Sequence, residues 1–153
     1  MTITSWRVVA RGFKETAFDG EGARIAGGRW NSIGNPAVYT AATTSLGLLE
    51  LLVHSSGTRL LPSYVAIPVV FDERLVDRFD RARLPKSWRS HPAPQKTQKT
   101  GDEWIASGLS CILEVPSVIV PHESNYVFNP KHTDFGSLEI GDSISLEVDP
   151  RLV

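Results

Sequence analysis

Short segments in which apolar residues alternate with polar ones, or run on without a break, recur along the chain. Alternation with a period of two is typical of a strand with one buried face, and a short apolar run is typical of a strand buried on both. Pro68 lies inside one such segment, and because proline cannot donate to a sheet ladder we expect that strand at an edge or a bulge. The predicted strands cover residues 3–10, 37–41, 64–71, 110–115, 117–120, 125–128 and 143–148.

One segment has the composition of a helix. Residues 45–55 contain five leucines around a single carboxylate, Glu50, and they follow Thr43 and Thr44, either of which is a suitable N-cap. Gly57 is a suitable end for this helix. A helix that is apolar nearly all round is predicted to be buried. Shorter helical segments are expected at 73–79 and 101–107.

Three stretches lack a regular pattern. Residues 12–28 hold five of the 12 glycines and are predicted to be mostly loop. Residues 81–99 carry six basic side chains, three prolines and no acid, and because proline disfavours helix immediately before it we expect an extended surface loop. Residues 134–149 carry five acids and no base. The two charged stretches are at least as consistent with solvated loops as with contacts to a partner.

The order of these elements predicts an α+β fold, with short strands in a mixed or antiparallel sheet and a few flanking helices. Strands and helices alternate too irregularly for a doubly wound parallel sheet. The 153 residues are expected to form a single domain, 1–153. The net charge of −1 and the lack of a long apolar run predict no direct binding to nucleic acid or membranes. A single cysteine and an N-terminus without a secretory signal favour a cytoplasmic location.

The sequence does not contain the common cofactor motifs. Gly20 and Gly22 begin a dinucleotide-binding pattern, but its third glycine would fall at Ile25. Gly22 and Gly27 have the spacing of a P-loop without the lysine that should follow. The four histidines have no metal-ligand spacing, so no metal site is predicted, and the lone cysteine is expected to be a structural thiol in an apolar strand.

Glu50 is the first of three candidate site residues. Burying an unpaired carboxylate is costly, so a cation or a ligand group should meet this side chain. Gly47 lies one turn earlier and is expected to leave space above the carboxylate. A structural ion pair, or a surface position at the edge of the apolar stripe, would explain Glu50 equally well.

The other candidates lie outside the helix. Arg29 belongs to the sequence Gly-Gly-Arg-Trp-Asn-Ser at 27–32. Paired glycines allow the backbone to approach a ligand closely, and an arginine can donate two hydrogen bonds to a phosphate. A turn with a surface arginine is equally consistent with this sequence. Ser117 follows a proline and lacks the surroundings of a hydrolase nucleophile, so we expect it to hydrogen-bond rather than attack. Asn129, after the next apolar segment, is a further polar candidate.

Together these segments resemble the RES-domain family, which is named for an Arg, a Glu and a Ser. The matching residues are Arg29, Glu50 and Ser117. Each motif alone is weak, but they occur in the family's order and jointly are fairly specific. Further matches extend the resemblance over nearly the whole chain, at Trp6-Arg7, Val38-Tyr39-Thr40, Gly101-Asp-Glu-Trp104 and Asn129-Pro-Lys-His132.

The resemblance implies that the chain is the toxin of a bacterial type II toxin–antitoxin pair. Its antitoxin would be an Xre-type helix-turn-helix protein, and a toxin dimer within the complex is compatible with it. The resemblance also implies a fold similar to ADP-ribosyltransferases and an activity that degrades NAD by hydrolysis or phosphorolysis, with NAD as a consumed substrate and no cofactor. The alternatives are an ADP-ribosyltransferase that modifies a cellular protein and, from a different class, a non-catalytic interaction module.

The chemistry of NAD cleavage assigns a role to each matching residue. Positive charge develops at the anomeric carbon as the nicotinamide–ribose bond breaks, and Glu50 is the predicted carboxylate that stabilises it. Arg29, and after it Arg7, are predicted to bind the pyrophosphate, and Tyr39 is predicted to stack on the nicotinamide ring. The predicted catalytic residues are Glu50, Arg29 and Ser117, and the predicted NAD-binding residues are Arg7, Arg29, Tyr39, Ser117 and Asn129.

Overall fold

A computed structural model describes residues 1–55 and 63–152 and confirms the predicted α+β fold. In these residues the helices are α1 (Glu21–Ala26), α2 (Thr44–His54) and α3 (Gln95–Ser107). Short 3-10 turns occur at Arg11–Thr16, Glu73–Leu75, Arg81–Arg83, Thr133–Ser137 and Pro150–Leu152. The strands are β1 (Thr2–Ala10), β2 (Val38–Ala41), β3 (Tyr64–Asp72), β4 (Val76–Arg78), β5 (Ile112–Pro116), β6 (Ser124–Phe128), β7 (Glu139–Ile140) and β8 (Ile144–Leu146).

The strands form one mixed sheet in the order β4-β5-β6-β2-β1-β3-β7, with β8 also paired to β3. The β4–β5 pair is parallel and the other pairs are antiparallel. β1 and β3 pair from Thr2–Asp72 to Ala10–Tyr64, whereas β1 and β2 share one pair of Cα partners, Trp6 and Ala41. The ladder between β1 and β2 is therefore the shortest in the sheet.

The two faces of the sheet carry different elements. Side chains alternate between faces along each strand, so Phe71, Tyr126 and Phe128 form an aromatic cluster on one face. On the other face, Val127 and Tyr39 pack with Trp30, and Trp104 of α3 belongs to the same cluster. This second face also carries α2, because Gly47 of α2 packs against side chains of β1 and β2. The segment around Trp30, α2 and α3 thus cover the same face.

Helix α2 begins as predicted but is less buried than predicted. The side chain of Thr43 caps it by accepting a hydrogen bond from Leu46 N at 3.1 Å. Gly57, the predicted end, lies outside the described residues. In α2 only Leu46 and Gly47 are buried, while Leu49 and Val53 are 40% and 51% exposed. The prediction of a helix buried nearly all round was wrong, because α2 packs on the sheet along one side only.

Two regions predicted as loops are partly helical. Within 12–28, Asp19 accepts a hydrogen bond from Glu21 N and so supports the start of α1. Helix α3 begins at Gln95, immediately after Pro94, and not at 101 as predicted. A proline just before a helix interrupts no helical hydrogen bond, so it marks the start of α3 instead of excluding it. The stretch 81–99 is therefore a loop only up to Pro94, and this loop contains a 3-10 turn and further hydrogen-bonded turns instead of being extended.

The strand predictions at 117–120 and around Pro68 need correction. Residues 117–120 form a turn, because backbone N–H groups of the segment donate back to Ser117 Oγ. β3 is not an edge strand, since β1 lies on one side and β7 and β8 on the other. Pro68 falls between the residues paired with β8 and those paired with β7. Its missing N–H therefore interrupts neither ladder.

The remaining differences are smaller. Of the helical segment predicted at 73–79, only Glu73–Leu75 is a helical turn, and Val76–Arg78 is β4. The two-residue strand β7 was not predicted. No helix in the described ranges is long and apolar enough to cross a membrane.

Candidate active site

Glu50 and Ser117 meet beside the end of β5. Ser117 is fully buried, and its Oγ donates a hydrogen bond to Glu50 Oε1 at 3.0 Å. The same Oγ accepts hydrogen bonds from Ile119 N and Val120 N, each at 3.1 Å. Because both backbone groups are donors, the single hydroxyl proton of Ser117 is left for the carboxylate. Glu50 itself is half-buried, so its carboxylate is oriented but not sealed from solvent.

Gly47 has a different role from the one expected. A Cβ at this position would lie 2.7 Å from Val8 Cγ2. The glycine therefore allows α2 to pack closely on β1, and the space beside it is filled by the strand. The prediction that Gly47 leaves room above Glu50 was wrong.

Arg29 lies in a tight loop, residues 27–35, which we call the Arg29 loop. Gly28 N donates to Asn31 O at 2.9 Å and folds the loop back on itself. Arg29 Nη1 donates to Trp88 O at 2.7 Å and to Ser90 O at 2.8 Å. Both bonds use Nη1, and in the part of the chain described here Nε and Nη2 have no hydrogen-bond acceptor and the side chain forms no ion pair.

The charge of Glu50 acts on Arg29. Burial lowers the pKa of the Arg29 guanidinium, and the negative charge of Glu50 acts in the opposite direction. Hydrogen bonds thus join Glu50 to Ser117 and the Arg29 loop to Tyr39, and the charge of Glu50 acts on Arg29.

The hydroxyl of Tyr39 holds the Arg29 loop. It donates to Asn31 Oδ1 at 2.6 Å and accepts from Trp30 N at 3.0 Å. A Cβ at Gly28 would lie 2.7 Å from this hydroxyl, so the close approach requires glycine. Burial raises the pKa of Tyr39 well above its ordinary value, so the hydroxyl keeps its proton. With the hydroxyl engaged, only the ring of Tyr39 remains for a ligand.

Arg7 reaches β2 from β1. Its Nε donates to Ala17 O at 3.0 Å and its Nη1 to Tyr39 O at 3.2 Å. Burial lowers the pKa of Arg7, and the charge of Asp19 opposes this effect. Arg7 alternates with Val8, which faces α2, so its side chain leaves β1 on the side opposite α2. Arg7 thus contacts the backbone of Tyr39 but belongs to the other side of β1 from Glu50.

Asn129 is not brought to this site. It follows β6 at the end far from Ser124, whose partner Pro116 directly precedes Ser117. Its amide is engaged locally, since Nδ2 donates to Ile105 O at 3.4 Å and Oδ1 accepts from Lys131 N at 3.1 Å. The apolar segment before Asn129 was read correctly as a strand, but the sequence did not indicate which end of that strand faces the site.

Several groups at the site were missed by sequence reasoning. The acceptors of Arg29 are backbone carbonyls of Trp88 and Ser90, and no residue type marks such carbonyls. Asn31 is fully buried, and its Nδ2 donates to Ala23 O and Asn35 O at 2.8 and 2.9 Å. Its signal was present in the Gly-Gly-Arg-Trp-Asn-Ser motif. Across the described ranges, no three His, Cys, Asp or Glu residues are grouped to hold a metal ion.

A family model and named relatives identify the chain's family. The model described as the RES domain matches residues 4–149. The chain belongs to the RES domain family. This confirms the resemblance carried by Arg29, Glu50 and Ser117.

The relatives of this RES chain are named toxins. "Toxin Res" of Photorhabdus laumondii is 36% identical over 149 residues, which are 97% of this chain and 96% of that protein. "Prs ADP-ribosylating toxin" of a Sphingobium species is 36% identical over 158 residues, covering 100% of this chain and 98% of that protein. A chain of the M. tuberculosis MbcT–MbcA toxin–antitoxin complex has a similar fold, with a TM-score of 0.76 and 20% sequence identity. The match covers 96% of this chain and 85% of that chain.

Proposed function

We propose that this RES-family toxin cleaves the nicotinamide–ribose bond of NAD, by hydrolysis or phosphorolysis. The observation that supports this most is the hydrogen bond from Ser117 Oγ to Glu50 Oε1. It orients a half-buried carboxylate on the same face of the sheet as an arginine with unused donors. A negative group for a developing cation and a positive group for a pyrophosphate are the two things that this reaction needs.

In the proposed reaction, the bond between C1′ of the ribose and the nicotinamide nitrogen breaks. The electron pair of that bond leaves with nicotinamide, whose ring nitrogen becomes neutral, and positive charge is left on C1′ and the ring oxygen. The carboxylate of Glu50 stabilises this charge. A water oxygen then bonds to C1′ and loses a proton to solvent, which gives ADP-ribose. With phosphate in place of water, the product is the 1-phosphate of ADP-ribose.

The other site residues bind the substrate in this proposal. Arg29 offers Nε and Nη2 to the pyrophosphate while Nη1 stays on the carbonyls of Trp88 and Ser90. Tyr39 offers its ring to nicotinamide and keeps its hydroxyl on the Arg29 loop. Arg7 is left out, because it leaves β1 on the side opposite α2 and its Nε and Nη1 are bound by the carbonyls of Ala17 and Tyr39. Ser117 orients Glu50, and Asn129 is left out because its amide is engaged at the far end of β6.

A second candidate activity is ADP-ribosylation of a cellular protein. It is supported by the relative that is named an ADP-ribosylating toxin, which is 36% identical to this chain over 98% of its own length. The bond-breaking step is the same, and a nucleophilic side chain of the target replaces water at C1′. Glu50 and Arg29 would keep the roles given above.

We also propose that an antitoxin restrains this toxin in the cytoplasm. A fold shared with a chain of a toxin–antitoxin complex supports a partner of this kind. An Xre-type helix-turn-helix protein would carry the DNA binding, since this chain has a net charge of −1. Co-expression with the products of neighbouring genes, followed by a pull-down through a tag on this chain, tests the partner and its stoichiometry. A tagged chain that retains no such protein would contradict this part of the proposal.

The decisive experiment measures nicotinamide release from NAD by the purified, antitoxin-free chain. Glu50→Gln and Arg29→Ala are expected to abolish release. Glu114→Gln is the matched control, because Glu114 also accepts a hydrogen bond from a serine hydroxyl, that of Ser124 at 2.9 Å, outside the site. It is expected to retain activity.

The products of the same experiment separate the alternatives. A rate that depends on added phosphate indicates phosphorolysis, and a rate independent of phosphate indicates hydrolysis. Label transferred from NAD to a protein indicates ADP-ribosylation. A folded chain that consumes no NAD under any of these conditions would contradict catalysis and support a non-catalytic interaction module.

A further inference from the structure

One face of α3 supports the Arg29 loop. Gln98 Nε2 donates a hydrogen bond to Gly28 O at 3.0 Å. A Cβ at Gly101 would lie 1.6 Å from Trp30 O, so the backbone of the loop rests directly on the helix at that glycine. Asp102 follows on the same face, because positions i, i+3 and i+4 of a helix lie side by side.

The carboxylate of Asp102 binds the end of the Arg29 loop. Oδ1 accepts from Ser32 N and from Asn35 Nδ2, each at 2.9 Å, and Oδ2 accepts from Ser32 Oγ at 2.5 Å. Hydrogen bonds to a charged acceptor are stronger than neutral ones. Among the described residues Asp102 forms no ion pair, so this carboxylate is occupied by the loop alone.

These contacts hold the backbone on both sides of Arg29. Gln98 fixes Gly28, immediately before it, and Asp102 fixes Ser32, three positions after it. Between them, Trp30 N is bound by the hydroxyl of Tyr39. The Cα of Arg29 is thus anchored to α3 and β2, and the place of its guanidinium depends on these anchors.

We infer that Asp102 is a positioning residue that acts through Arg29, with Gln98 in a supporting role. The inference rests on the proposed function, because positioning matters through the contact of Arg29 with the pyrophosphate of NAD. Arg29 would bind the pyrophosphate alike in the ground state and in the transition state. Misplacing it should therefore weaken substrate binding more than it slows the chemical step.

The test compares Asp102→Ala with Glu103→Ala, the next residue along α3. Glu103 is exposed, and its Oε1 lies 3.9 Å from Lys99 Nζ, so its carboxylate is not bound by the Arg29 loop. For Asp102→Ala we expect the KM for NAD to rise about tenfold with kcat within about twofold, and Glu103→Ala to change neither. Asp102→Asn keeps one acceptor oxygen and should fall between Asp102→Ala and the wild type.

A double mutant separates positioning from a general structural role. In an Arg29→Ala background, which is expected to release no nicotinamide, the Kd for NAD is measured instead, and Asp102→Ala should raise it no further because the group it positions has been removed. An unchanged KM in Asp102→Ala, or an equal rise in the Kd for NAD with and without Arg29, overturns the inference.

Amide hydrogen exchange tests the same contact without any substrate. The Ser32 N–H should exchange faster in Asp102→Ala than in Glu103→Ala, since it loses its acceptor. If the wild type releases no nicotinamide, the proposed function fails, and the exchange measurement still tests the anchoring of the loop. Equal exchange of Ser32 in both variants then overturns the inference as well.

Discussion

Ser117 Oγ donates a hydrogen bond to Glu50 Oε1 at 3.0 Å, across 67 positions of the sequence. The remaining sites on the hydroxyl oxygen are taken by Ile119 N and Val120 N. The turn after β5 therefore directs the hydroxyl proton of Ser117 towards α2, where it is accepted by the carboxylate of Glu50. The hydrogen bond thus orients the Glu50 carboxylate, which is why a serine without a nucleophile's surroundings matters at this site.

Removing this hydroxyl should slow NAD cleavage. Because a hydrogen bond to a charged group contributes about 1.5–3 kcal/mol, we expect kcat of Ser117→Ala to fall roughly 10- to 100-fold. Nicotinamide release, measured well below the unfolding temperature of the variant, checks this. Ser124→Ala is the control. Ser124 Oγ also donates a hydrogen bond to a glutamate, Glu114, at a distance of 2.9 Å, but this pair lies outside the site. Equal losses in the two variants would show that the loss does not come through Glu50.

Tyr39→Phe distinguishes the ring of Tyr39 from its hydroxyl. The variant keeps the ring but removes the bonds to Asn31 Oδ1 and Trp30 N. We expect the free energy of unfolding to fall by about 1–3 kcal/mol and the KM for NAD to rise, because the Arg29 loop loses an anchor. Denaturant unfolding and steady-state kinetics measure the two effects. Tyr126→Phe removes only a weak 3.4 Å bond to Glu114 and should change KM little. An unchanged KM in Tyr39→Phe would leave only the ring in a binding role.

Local sequence patterns predicted much of the fold. The strand at 3–10 and the helix capped by Thr43 depend on residues close in sequence, and both were found. Burial is different, because it depends on how many neighbours an element meets. The leucine-rich pattern of α2 could not reveal that the sheet covers one side only, which leaves Leu49 and Val53 exposed.

The sequence predicted which residues belong to the candidate site better than it predicted the contacts that hold them. Arg29, Glu50 and Ser117 came from a resemblance spread over the whole chain, and a family model now matches that chain. The carbonyls that hold Arg29 lie 59 and 61 positions away, in a stretch notable only for its charge and prolines. Asp102 was part of a recognised motif. Because the helix was predicted to start at 101, Gln98 lay outside it, and the sequence could not show that Gln98 and Asp102 share one face of α3.

Gly47→Ala should weaken the packing of α2 on β1. Its Cβ would lie 2.7 Å from Val8 Cγ2, so the helix must shift, and overpacking of this kind costs about 1–3 kcal/mol. Val8→Ala removes the obstructing methyl, so the double variant should be more stable than the sum of the single effects predicts. Urea unfolding measures all three variants. Gly22→Ala, in α1 with open space around the new Cβ, is the control and should be neutral or stabilising. A Gly47→Ala variant as stable as the wild type would contradict the close packing.

Cys111 should make the stability of the chain fall in alkaline solution. The thiol is fully buried, and burial raises its pKa from the ordinary 9.0 to about 11. The unfolded chain therefore loses this proton at a lower pH than the folded chain. The stabilising effect is fully present below pH 9 and is lost as the pH rises from about 9 to about 11, by about 1.4 kcal/mol per pH unit.

The measurement is the free energy of unfolding between pH 8 and 11 for the wild type and for Cys111→Ala. The variant loses packing at every pH, but it has no thiol to titrate, so the difference between the two curves should shrink above pH 9. The difference between the two curves, unlike either curve alone, cancels the effect of the groups that both proteins share. Curves that stay parallel up to pH 11 would show that the thiol is not shielded from solvent as its burial requires.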